Sequence, residues 1–258
     1  MNIIAMGFLA GVAGMGLGSL FTVIFGSKTE KMISFFLSFA GGVMISIVFL
    51  ELIPEAIEHS NITVTLIGLI LGAVLVLVLN NLVDKISESK APTKLHENYT
   101  EFFHASGMVD NKKSMLRSGL IMLFAIGLHN IPEGLAVGAA GFHDASLGLA
   151  LAIIIGLHNI PEGMAVSAPL IAGGLSKTKS VILTLLVGST TVIGAALGVI
   201  VGGVSDIAVA VSFSIAGGAM LYVVLGEILP QSIVTNKDRM PTIIALVGII
   251  VGILLTQI

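Results

Sequence analysis

Eight long apolar stretches, parted mostly by brief polar turns, decide what this chain can become: about 3–25, 32–57, 62–84, 117–141, 146–170, 180–204, 206–234 and 240–257. Most reach about twenty residues or more, the length of helix that crosses the hydrocarbon core of a bilayer. In lipid every backbone N–H and C=O must find a partner within the chain, and a helix satisfies its own. Composition points the same way: the 258 residues are 55% hydrophobic and 10% charged, against roughly 25% charged in a soluble domain. Too little polar surface remains to coat a water-soluble particle. The expected fold is all-α and integral to a membrane, with eight transmembrane helices in a single domain over 1–258 and the lipid bilayer as its solvent. The first stretch has neither a basic lead-in nor a small-residue cleavage signature, so it reads as a retained helix. There is no cysteine, which excludes disulfides and thiolate ligation, and a net charge of −3 gives no reason to expect a nucleic-acid partner.

Charge placement predicts orientation. All twelve Lys and Arg fall in alternate connections: Lys28 and Lys31; Lys85, Lys90, Lys94, Lys112, Lys113 and Arg117; Lys177 and Lys179; Lys237 and Arg239. The positive-inside rule makes those connections cytoplasmic, including the one long polar interval, 85–116, and puts both termini outside. A multi-pass protein of the cell (inner or plasma) membrane follows.

Two internal repeats stand out. GLHNIPEG occurs at 127–134 and again at 156–163, inside the fourth and fifth stretches. AGGVMISIVFLELIPEA at 40–56 aligns with AGGAMLYVVLGEILPQS at 216–232 at a constant offset of 176. The predicted orientation runs the second stretch outward and the seventh inward. The chain thus reads as three helices, a central pair and three more, a 3+2+3 inverted repeat of the kind that transporters use.

On a helix, His129 and Glu133 lie one turn apart on one face with Asn130 on a neighbouring line, and His158, Glu162 and Asn159 repeat the pattern. Pro132 and Pro161 each remove an N–H donor and disturb the carbonyl four residues earlier. The glycines bounding each copy permit close helix approach. A carboxylate at the bilayer centre costs about 2.5–3.5 kcal/mol on insertion scales, and with every Lys and Arg assigned to a connection, none inside a segment, no fixed countercharge is expected for these two. Two imidazoles, two carboxylates and two amide oxygens suit a borderline divalent ion: zinc first, with iron, manganese, cobalt or cadmium as alternatives. The metal is then substrate, no catalytic cofactor is expected, and the chain is no enzyme. An intramembrane metalloenzyme is the competing reading, but two matching half-sites suit an ion better than an asymmetric reaction, and HExxH is absent. Efflux in place of uptake is a third reading, since direction depends on driving force.

The paired HNIPEG motifs resemble those of the ZIP (Zrt/Irt-like) metal-ion transporters, most closely their bacterial GufA/ZupT-like branch, and the resemblance covers the whole chain. It implies divalent-metal uptake toward the cytoplasm by alternating access of elevator type, in a dimer. It also implies His129, Glu133, His158 and Glu162 as the primary ligands, with Asn130 and Asn159 serving a second metal position. In that branch the sixth helix often supplies a glutamate to the second position; Thr191 stands there in this chain. One strong site with a weak second is therefore expected. Where related seventh helices read HE before the proline, this chain has Gly226-Glu227, so the histidine is missing.

Other polar positions have two readings each. Glu51 and Glu55 near the outer end, and Glu227 near the cytoplasmic end, either hand metal in and out or reach toward headgroups. Ser189 and Thr191 either contact metal or bond their own backbone. His96, Glu97, Glu101 and His104 in the long interval either buffer metal or are ordinary solvated charge.

Overall fold

A computed structural model of the chain describes residues 2–26, 29–86, 111–201 and 206–257; His96, Glu97, Glu101 and His104 lie outside them. The described residues form eight helices and no strand, the all-α membrane architecture that the apolar runs demand. The helices are α1 (Ile3–Phe25), α2 (Lys31–Glu58), α3 (Ile62–Ile86), α4 (Asn111–His143), α5 (Ala145–Ala172), α6 (Lys177–Val201), α7 (Asp206–Thr235) and α8 (Met240–Leu255). Seven are long and apolar enough to span a bilayer, and α8 is a shorter apolar helix of 16 residues.

Local chemistry sets the helix ends. Thr29 accepts a hydrogen bond from the Met32 N–H at 3.3 Å at the start of α2, and Asp144 accepts one from Ser146 at 2.8 Å at the start of α5. At the far end of α5 the chain turns through Gly174 at φ 96°, a left-handed conformation that glycine adopts without strain. Within α2 and α7 the helix widens by one residue per turn over Val48–Leu52 and Val224–Ile228. Each wide turn ends just before a proline, Pro54 or Pro230, which has no N–H to give to the carbonyl four residues back. The two wide turns sit at the same offset of 176 as the sequence repeat, and each holds a glutamate, Glu51 or Glu227, in the same place.

Glycines then divide the helices into two groups. A side chain at Gly134 or Gly138 of α4 would run into the α6 backbone at Thr191 or Ala195. One at Gly14 or Gly18 of α1 would meet α5 at Gly156 or Ile160, and one at Gly11 would meet α6. In the second group, Gly42 of α2 is closed by Ala245 of α8, and Gly72 of α3 by Ile215 of α7. Such backbone-to-backbone approach joins α1, α4, α5 and α6 to one another and makes two further pairs, α2 with α8 and α3 with α7, which meet through side chains where Gly41 faces Leu229 and Gly217 faces Val48. The groups meet chiefly where α2 packs on α5 and α7 packs on α4. Those seams are filled by side chains, among them buried Met44, Met122 and Met220.

Candidate metal site

The helices α4 and α5 are joined through the single residue Asp144, so they must run antiparallel. Their register follows from three close pairs, Gly141 with Gly148, Gly119 with Leu170 and Leu116 with Gly173, whose numbers each add to 289. That register puts residue 129 opposite residue 160, and the two GLHNIPEG copies face each other along almost their whole length. The prolines do not break either helix.

The motif side chains meet in the interior. His129, Asn130, Glu133, His158, Asn159 and Glu162 are all 2% exposed or less. Glu133 Oε1 lies 2.9 Å from His129 Nε2 and 2.9 Å from His158 Nε2, so it stands between the two imidazoles, one from each copy. Glu162 Oε1 is 3.5 Å from His129 Nε2. His129, Glu133 and Glu162 offer ligand atoms that lie within 4.8 Å of one another.

The hydrogen-bond ledger around them is one-sided. Of thirteen buried side-chain polar atoms that make no hydrogen bond among the described residues, eight belong to His129, Asn130, Glu133, Asn159, Glu162 and Thr191. Buried polar groups are normally satisfied, and most of these eight are acceptors. The asparagines show how the local fold arranges this. Asn159 donates through Nδ2 to the Ala10 carbonyl at 3.0 Å, and Asn130 to the Val187 carbonyl at 3.4 Å. Both N–H ends are tied to neighbouring helices and both Oδ1 atoms remain as buried acceptors. A cluster of acceptors with no Lys or Arg among them is built for a cation.

The remaining sequence candidates fall into three situations. Glu51 joins the cluster's rim: its Oε2 is 3.9 Å from His158 Nδ1, and its side chain is 25% exposed. Thr191 is fully buried, its Oγ1 has no partner, and Gly11 of α1 closes over it, one residue from the carbonyl that holds Asn159. Ser189, by contrast, donates to its own helix at the Leu186 carbonyl, 2.6 Å away. Glu55 stands a turn beyond Glu51, with its Oε2 3.6 Å from His59 Nε2; His59 Nδ1 in turn lies 3.7 Å from Asp206. Glu227 is engaged elsewhere, by Arg117 of α4 at 3.2 Å. Arg117, counted in the sequence among the loop cations, therefore lies within a helix and is largely buried; a carboxylate partner offsets its charge there. The sequence pointed to neither that pairing nor Asn80, which also bonds Glu227. The only signal for Asn80 was an amide inside an otherwise apolar stretch.

Burial differs sharply between the two sides of the cluster. On α5 every position from Pro161 to Leu170 is buried, whereas most of Ala145–Ile154 is not. Toward the Arg117 end the site is covered by apolar side chains, and toward the Glu55 end it reaches partly exposed Glu51.

The chain was compared with known proteins. The family model described as ZIP Zinc transporter matches residues 93–258. Zinc transporter ZupT of Chlorobaculum parvum is 33% identical over 234 residues, covering 87% of this chain and 85% of that protein. Zinc transporter ZupT of Streptococcus mutans is 32% identical over 259 residues, with 96% and 93% covered. Zinc transporter GufA of Myxococcus xanthus is 37% identical over 139 residues, about half of each chain (54% and 55%).

Proposed function

The chain belongs to the ZIP family of zinc transporters, and from that premise we propose that it carries zinc or a similar divalent ion across the membrane through the paired-motif site. It is a multi-pass membrane protein, and the metal is its cargo rather than a resident cofactor. One observation carries the assignment to these residues: the two GLHNIPEG copies converge on one buried cluster of imidazole, carboxylate and amide acceptors that has no fixed cation. His129, Glu133, His158 and Glu162 hold the ion, with the carboxylates ionised and the imidazoles neutral. Asn130, Asn159 and Thr191 offer oxygens to a second, weaker position, since a neutral hydroxyl attracts a cation less than a carboxylate does. Glu51 and Glu55 line the approach from the less buried end.

Movement follows from the division into two helix groups. Metal leaves the site by alternating access, with α1, α4, α5 and α6 moving as an elevator against α2, α3, α7 and α8. The glycine contacts support this, because each close backbone approach pairs helices of the same group, while side chains fill the seams between the groups. Packing also supports the 3+2+3 inverted repeat. Exchanging the first three helices with the last three, and α4 with α5, turns the α1–α5 pair into α6–α4 and the α3–α7 pair into α8–α2. All four pairs are closed by glycine. The positively charged connections are cytoplasmic, both termini lie outside, cargo moves inward, and two copies form a homodimer.

Flux tests the reading. Purified protein in liposomes loaded with a zinc-sensitive dye is expected to admit zinc down an imposed gradient, and His158→Ala and Glu162→Ala to bring the signal to background. Undiminished flux in both variants would sink the assignment. No flux in the unmodified protein under a gradient of either direction would sink transport itself.

A further inference from the structure

The two seams of the molecule use the repeated helices α2 and α7, and they are not alike. On one, Glu51 of α2 stands 3.9 Å from His158 in the motif of α5. On the other, Arg117, Asn80 and Ser118 all donate to the counterpart Glu227 of α7. Arg117 Nη1 donates to its Oε1 at 3.2 Å, Asn80 Nδ2 donates to the same oxygen at 3.2 Å, and the Ser118 hydroxyl donates to Oε2 at 3.2 Å. Arg117 and Ser118 belong to α4 and hence to one helix group; Glu227 and Asn80 belong to α7 and α3 in the other. The cluster is therefore a polar clasp across an otherwise apolar seam, at the end where α5 is engulfed. Among the described residues, no Lys or Arg pairs with a carboxylate across the seam at the opposite end. Ser146 occupies the place in α5 that corresponds to Arg117 at the motif offset of 29.

We propose that Arg117 and Glu227 form a one-sided lock that holds the carrier closed at the Arg117 end and parts when the site opens there. The inference rests on the alternating-access reading above. A buried ion pair is costly to break by removing one partner, because the other charge stays desolvated. Separating the two groups so that water reaches both avoids that cost. The lock thus favours two arrangements, fully shut or fully parted, and the absence of a counterpart at the other end biases the resting carrier toward this closure. Glu227 is then withheld from metal while the pair is intact.

The cysteine-free chain permits a direct test in nanodiscs, where both faces are accessible. Ala125→Cys puts a thiol between Arg117 and His129 at a buried position, and Val137→Cys puts a control thiol within the packing of α1, α4 and α5. Arg117→Gln and Glu227→Gln should each raise alkylation of the first thiol by a charged maleimide about tenfold or more, the scale of a lost charge-assisted hydrogen bond. The control rate should not change, and the exchange Arg117→Glu with Glu227→Arg should restore slow labelling. Unchanged rates at Ala125→Cys would overturn the lock. So would equal acceleration at both thiols, which would make the pair a general brace, or an exchange variant as fast as the single ones. Because no metal flux is read, a failure of transport in the unmodified protein would appear separately.

Discussion

At the scale of single residues, the site is a matter of which atoms have partners. Glu133 is shared by an imidazole from each motif copy, at 2.9 Å to both, and neither oxygen of Glu162 has a hydrogen bond, although Oε1 lies 3.5 Å from His129 Nε2. A divalent ion competes with protons for such groups, since it needs neutral imidazole and ionised carboxylate. With the ordinary imidazole value of about 6.5, two ligating histidines should make zinc affinity fall about tenfold to a hundredfold between about pH 7.5 and 5.5. Competition against a chelator of known affinity at each pH would measure it; a flat profile would mean that the imidazoles do not bind the ion. Acid loosening of the nearby helix cap does not mimic this effect. Hydrogen bonds from the Ser146 hydroxyl and from the Ser146 and Leu147 N–H groups hold the Asp144 carboxyl below its ordinary value. A depressed acid contributes stability above its unfolded value and loses it as pH falls through the folded one, which lies below this window. The motif residues were legible in the sequence because their chemistry is out of place among apolar neighbours. Arg117 and Glu227 were not legible as a pair, because they are 110 positions apart and one of them looked like a loop cation.

At the scale of helices, length and composition announced the apolar spans, since bilayer thickness fixes how long they must be. The wide turns before Pro54 and Pro230 were not announced, because a proline alone does not say whether a helix kinks, ends or widens. Glycine content suggested close contacts without naming partners, and the structure assigns them: α4 with α6, α1 with α5, α2 with α8 and α3 with α7. Such contacts leave no room. Gly138→Val would drive its side chain into the α6 backbone at Ala195 and should destabilise the fold by about 1–3 kcal/mol, the usual scale of overpacking. Gly226→Ala is the control, because its new carbon would have its nearest neighbours in the Tyr222 ring, at 3.5 Å or more, an ordinary van der Waals contact. Heating each variant in detergent and measuring the monodisperse fraction should show an early loss for the first alone. Equal loss for both would deny that the glycine seam between α4 and α6 is tight.

At the scale of the whole molecule, the repeats acquire a purpose. Two copies of one motif, carried on antiparallel helices in a register that sets them face to face, bring their polar side chains into one buried cluster instead of two. Around it α1, α4, α5 and α6 carry or enclose the motif residues, α2 and α7 supply the surfaces they face, and the Arg117–Glu227 pair spans the seam at one end. The central claim is that each copy contributes half of a single site, and the stoichiometry of zinc binding tests it most directly. Calorimetric titration of the chain in nanodiscs is predicted to give one tight zinc per chain, with tight binding lost in His129→Ala alone and equally in His158→Ala alone. Two tight zincs in the unmodified chain, with one surviving in each single variant, would contradict the account.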